Sequence, residues 1–142
     1  MKKTVFWILN AMVFLAVVGC SGNMDGIIRR DAARIRITFT DSRISKAELI
    51  TILPDGERFQ GKPEKLDMQK DMMATDTARS TAEPASFPAL QTFPGNVKAM
   101  LSGSKGRQMA CRFRLTDVIL GFSSGGFGLC QMSDGRVIDV FF

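Results

Sequence analysis

The chain contains no histidine and no tyrosine, and its one tryptophan, Trp7, lies in an apolar run near the N-terminus. Serine–histidine and cysteine–histidine catalysis are therefore excluded within the chain, as are zinc sites built on imidazole. An enzyme made from this sequence would have to work with carboxylates, a lysine or a thiol. Long hydrophobic runs are also scarce. The one that stands out, Val5 to Val18 broken only by Asn10, covers 14 positions, whereas a membrane span needs about 20. No lysine follows Lys105. The glycine-rich stretch Gly125-Gly126-Phe127-Gly128 therefore lacks the cation of a phosphate loop. A strand pattern rather than a helix follows it, so these glycines read as a tight bend or bulge beside Cys130.

What is present begins with an address. Lys2 and Lys3 precede the apolar run, which ends in Val17-Val18-Gly19-Cys20. This arrangement of basic residues, short apolar segment and small residue before cysteine resembles the lipobox of bacterial lipoproteins. The resemblance implies a signal peptide over residues 1–19, removed on export, and a diacylglyceryl group on the Cys20 sulfur. Ser21 in the next position implies the outer membrane, with the domain facing the periplasm. Two or three acyl chains, palmitate among them, hold a protein on a bilayer where one binds reversibly. Two other readings stay open. An unlipidated signal peptide needs a small-x-small site, of which Val17-Val18-Gly19 supplies one small residue. A retained anchor helix is opposed by the polar segment directly after Cys20.

Removing residues 1–19 from 142 leaves 123, enough for one domain with a core. Lys2 and Lys3 leave with the signal, so 17 of the 19 basic residues face 14 acidic ones. That small, dispersed excess does not suggest nucleic acid as a partner. Gly22, Asn23, Asp25 and Gly26 make residues 20–30 read as a flexible lipidated tether, with Arg29 and Arg30 solvated or touching headgroups. A single β-rich domain is expected over residues 31–142, with a flexible insertion at about 62–92. With Cys20 committed to lipid, Cys111 and Cys130 are left, and a pair in an exported chain suggests a disulfide. A free thiol or a thiol metal pair is the alternative.

Within the domain the dominant signal is apolar residues at every second position, the mark of half-buried strands. Ile35, Ile37 and Phe39 share one face, as do Ala47, Leu49 and Leu53, then Val97, Ala99 and Leu101, then Met109, Cys111, Phe113 and Leu115. Turn signals separate them at Pro54-Asp55-Gly56-Glu57, Gly103-Ser104-Lys105-Gly106 and Ser133-Asp134-Gly135-Arg136. Seven or so short strands in hairpins predict a mainly β fold, a small antiparallel barrel or sandwich. The strand Val137 to Phe142 is apolar on both faces, so it should be central or covered. Glu64 to Arg79 offers a thin apolar face for a few helical turns. The spacing of Asp55-Gly56-Glu57-Arg58-Phe59-Gln60-Gly61, Gly126-Phe127-Gly128 and Asp134-Gly135-Arg136 is similar to the glycine and turn pattern of MORN repeats, which implies repeated hairpins.

Candidate chemistry is sparse. Met68, Met72 and Met73 could offer thioethers to copper(I), but packing or solvent exposure explains them more simply, and no metal or other cofactor is expected. The pairs Asp55 and Glu57, or Asp134 and Asp139, together with Lys105, are the nearest approach to a hydrolase set. Their turn positions already account for Asp55 and Asp134. The expected function is a non-catalytic binding or structural module held on the membrane, with an envelope protein or glycan as partner. A small periplasmic inhibitor of a lytic enzyme such as lysozyme is the alternative, and a weak hydrolase is a more distant one.

Overall fold

The structure, a computed structural model, describes residues 20–67 and 87–142. Among the described residues nine strands follow one another: β1 (Gly22–Ile28), β2 (Arg34–Phe39), β3 (Leu49–Ile52), β4 (Arg58–Gly61), β5 (Pro63–Lys65), β6 (Val97–Gly103), β7 (Gln108–Leu115), β8 (Gly126–Met132) and β9 (Val137–Phe141). A short helix, α1 (Pro88–Gln91), precedes β6. Neighbouring strands pair in the order β4-β3-β2-β1-β9-β8-β7-β6, and β4 pairs with β6 to close the ring. The architecture is an eight-stranded antiparallel barrel with one extra strand. Of the two alternatives read from the sequence, barrel and sandwich, the pairing selects the barrel.

The extra strand has a local cause. Phe59 pairs with Gly103, and Pro63 with Ala99, in one continuous register along β6. Thus β5 prolongs β4 past an interruption at Lys62. At the interruption β6 comes so close to Gly61 that a side chain there would strike the Met100 carbonyl. Glycine is what lets the two strands approach at this point.

Alternation sorts the walls as the sequence implies. Ile35, Ile37, Phe39, Leu49, Val97, Leu101, Met109, Phe113 and Leu115 point inward and are buried. An eight-stranded barrel is about wide enough for side chains to fill it, and here Met24, Phe59, Met132, Ile138 and Val140 complete that filling. Cys111 lies directly opposite Cys130 across β7 and β8, with Cα atoms 4.0 Å apart, and the two form a disulfide inside the barrel. Both are fully buried.

Two expectations need correction. Residues 20–30 are not a tether, because Gly22–Ile28 is a wall strand hydrogen-bonded to β2 on one side and β9 on the other. The polar residues that suggest a linker, Asn23 and Asp25, occupy its outward positions, while Met24, Gly26 and Ile28 face inward. Glycine at an inward position hides this alternation from a reader of the sequence, since Gly26 makes room for Ile35 and Ile138 rather than filling space itself. The proposed insertion at 62–92 is structured at both ends: residues 63–65 are strand, not the start of a helix over Glu64 to Arg79, and residues 88–91 are α1. The rest of that helix, and Met68, Met72 and Met73, lie outside the described residues. Asp117 to Phe122 is a loop ending in a 3₁₀ turn over Gly121–Ser124.

The strand β9 is central, between β8 and β1, and it is also partly covered. Phe87 and Leu90, on and beside α1, pack outside the barrel on Ala110 and Leu129, with Phe93 and Val137 at the edge. The Gln131 side chain accepts a hydrogen bond of 2.9 Å from the Ala89 N–H and pins α1 there.

The disulfide closes a loop of 19 residues' separation. Replacing both cysteines, Cys111→Ala with Cys130→Ala, should lower the unfolding free energy by about 3 kcal/mol, read from urea unfolding, while the far-ultraviolet spectrum keeps its strand signature.

Candidate functional site: two barrel ends and a groove in the wall

The two ends of the barrel differ in chemistry. One end carries the hairpin turns between β3 and β4, β6 and β7, and β8 and β9. These three turns share a construction. In each, an N–H donates to the carbonyl four residues on (Leu53 to Glu57, Gly103 to Arg107, Met132 to Arg136), and a glycine N–H donates back to the first residue. The glycines, Gly56, Gly106 and Gly135, have φ of 83°, 91° and 91°, the left-handed conformation that ends a three-residue hairpin loop. The residue after each glycine is thereby aimed at its neighbours.

Those residues meet. Arg107 bonds through Nε to Glu57 and through one terminal nitrogen to Asp55, and its other terminal nitrogen lies 3.0 Å from Asp134. Arg136 adds a bond of 2.8 Å to Asp134 and lies 3.6 Å from Asp55. Glu57 is completely buried, and its Oε1 also accepts the Lys105 N–H at 2.9 Å. The Phe59 ring lies beneath the Arg107 guanidinium, 6.0 Å from its centroid. Burial pushes the Glu57 carboxyl up, but the bonds from Arg107 and from two backbone N–H groups outweigh it and leave the group below its ordinary value. The Arg107 hydrogen bond, helped by the Glu57 N–H, holds Asp55 at about 2. Asp134 is lowered chiefly by Arg136.

Of the carboxylates considered as a hydrolase set, Asp55, Glu57 and Asp134 are thus brought together, but each is tied to an arginine. Asp139 stands apart, in a bidentate pair with Arg29 at 2.8 Å, and Lys105 Nζ donates to the Asp55 carbonyl at 2.8 Å. A depressed carboxylate is the reverse of what a general acid needs near neutral pH. The cluster binds one turn to another.

The opposite end holds Cys20, which is exposed and separated from β1 by Ser21 alone. Its interior is plugged by aromatic rings. Phe39 stacks on Phe122 at 5.4 Å, and Phe113 and Phe142 meet Phe122 at 5.7 and 5.9 Å. The loop between β2 and β3 and the loop between β7 and β8 are joined there: Ser42 Oγ donates to the Leu120 carbonyl at 2.6 Å, and the Phe122 N–H donates to the Ser42 carbonyl at 2.9 Å.

Between the ends, the outer wall bears a groove lined by Asp25, Ile27, Arg34, Arg36 and Phe141. Phe127 pairs with Phe141 across β8 and β9 and is itself met edge-on by Phe93 at 5.8 Å. Phe141 and Phe127 are about half exposed, at 52% and 47%. Exposed aromatics flanked by arginines are typical of binding surfaces.

Reading the sequence singled out Cys20, Cys111 and Cys130 and missed Arg107 and the groove. A signal for Arg107 existed in the repeat of a charged residue, glycine and a second charged residue at 55–57, 105–107 and 134–136. None existed for the groove, which draws on β1, β2 and β9. No protein-family model, no curated protein and no solved structure matches the chain.

The depressed carboxylates favour the folded state fully above their ordinary pKa, about 4, and that contribution is lost as pH falls toward 2. The melting temperature should therefore fall between pH 4 and pH 2. Arg107→Met, which strands the buried Glu57, should lower the melting temperature at pH 7 far more than Arg29→Met does. It should also flatten the decline at acid pH.

Proposed function

We propose that the protein is a membrane-anchored lipoprotein of the bacterial envelope, lipidated at Cys20, whose barrel acts by binding and not by catalysis. The observation that carries this reading is the place of Cys20, the residue that lipobox processing would make the first of the mature chain: one residue, Ser21, lies between it and the first described wall strand. A lipidated cysteine must be exposed, and Cys20 is.

Binding is favoured by how the polar groups are deployed. The carboxylates best placed for chemistry are tied to Arg107, Arg136 and Arg29. The outer wall, by contrast, offers Phe141, Ile27, Arg34 and Arg36 beside one another. Such a surface suits an envelope protein or a glycan, with aromatic faces for stacking and guanidinium groups for planar acceptors. The outer membrane, with the barrel in the periplasm, is the location that Ser21 suggests.

Labelled palmitate should enter the wild-type chain expressed in a bacterium and fail to enter Cys20→Ala, and only the wild type should sediment with membranes after a high-salt wash. Equal labelling of the two would overturn the anchor. A photo-crosslinking residue in place of Phe141 should trap an envelope component that the same residue in place of Ile52 does not.

A further inference from the structure

The rim that carries Cys20 also carries the most exposed large apolar residue described and a second one beside it. Ile119 is 85% exposed and its neighbour Leu120 is 61% exposed. Scattered surface apolar residues need no explanation, but these two are adjacent and held from beneath. Asp117 Oδ1 accepts both of their N–H groups, at 2.7 and 3.2 Å. Ser42 Oγ takes up the Leu120 carbonyl, and the Gly121 N–H returns to the Asp117 carbonyl at 3.0 Å. The N–H groups of Ile119, Leu120 and Gly121 and the Leu120 carbonyl are thus already paired, which lowers the cost of entering an apolar medium.

The tip is also tied to the anchor position. Gly22, two residues after Cys20, pairs with Phe39, and Phe39 stacks on Phe122 in the same loop as Ile119. Gly121 packs so closely on Ser42 that a side chain there would strike its carbonyl. Exposed Arg43, paired with Asp41 at 2.8 Å, and exposed Lys46 lie in the same loop as Ser42. The far rim is built instead from Arg29, Arg30, Asp55, Lys105, Arg107, Asp134 and Arg136, with Ile52 its one strongly exposed apolar side chain.

We infer that the barrel docks end-on against the lipid surface, with Ile119 and Leu120 entering the interface beside the anchor and Arg43 and Lys46 at headgroup level. The inference rests on the proposed membrane attachment at Cys20. A single intervening residue reaches only about 3.5 Å, so an anchor at Cys20 brings this rim to the bilayer. A retained apolar segment ending at Val18 would do the same. An amphipathic surface gains both from apolar burial and from attraction to anionic lipid.

The test uses the full chain in a Trp7→Phe background, carrying either Ile119→Trp or Ile52→Trp, purified and reconstituted into vesicles of phosphatidylethanolamine and phosphatidylglycerol with or without brominated acyl chains. Palmitate labelling is followed on the same preparations. Brominated lipid should quench Ile119→Trp at least twofold and leave Ile52→Trp unchanged. Equal quenching, no quenching, or quenching at position 52 alone, in protein that carries the label, overturns end-on docking and leaves the anchor standing. Unlabelled protein overturns the anchor. Selective quenching at position 119 in that unlabelled protein upholds docking by the tip alone, and its absence overturns both.

Discussion

The barrel depends on a short seam. Strand β4 meets β6 through only two pairs, Phe59 with Gly103 and Gln60 with Ser102, and without them the sheet would stay open with two exposed edges. Glu57 and Arg107 stand on either side of this seam, one in the turn before β4 and the other in the turn before β7. Their ion pair joins the two halves of the sheet where the ladder is shortest. The Ser104 N–H, donating to the Arg58 carbonyl at 2.8 Å, adds a bond in the same place. Gly103 must be glycine for the arrangement to fit, because a side chain there would collide with the Glu57 carboxylate. A buried charge is costly by itself. Here it is matched by a guanidinium and two backbone donors, and it ties the turn before β4 to the turn before β7.

A division of labour follows. The end with the three similar turns is polar and internally neutralised, the end with Cys20 is filled by aromatic rings, and the wall between them carries the groove. The disulfide contributes to none of these surfaces. It joins β7 to β8 in the interior, one strand away from the seam strand β6, and holds together strands that already share seven residue pairs.

Much of the fold was legible in the sequence because strand alternation survives wherever the inward residue is large. Ile35, Phe39, Leu101 and Phe113 declare their face individually. Where an inward position is glycine the signal fails, which is why β1, with Gly26 inward, read as a linker. Cys111 and Cys130 could be paired on composition, given the expectation of an exported chain with Cys20 committed to lipid, because that expectation leaves two cysteines. Arg107 could not be singled out in the same way, because its role depends on three turns that are distant in sequence and adjacent only after closure. The same holds for the groove, whose Asp25, Arg36 and Phe141 come from opposite ends of the chain.

The pairing of β1 with β9 sets the order in which the molecule can be assembled. Ile28 meets Ile138, and Arg29 reaches Asp139 across a separation of 110 residues. Until β9 has emerged, β1 has β2 on one side and an unpaired edge on the other, so a growing chain cannot finish the ring. Contacts this remote in sequence form slowly. The ring therefore closes late: until its ninth strand is in place, β1 keeps an open edge and the chain stays pliable.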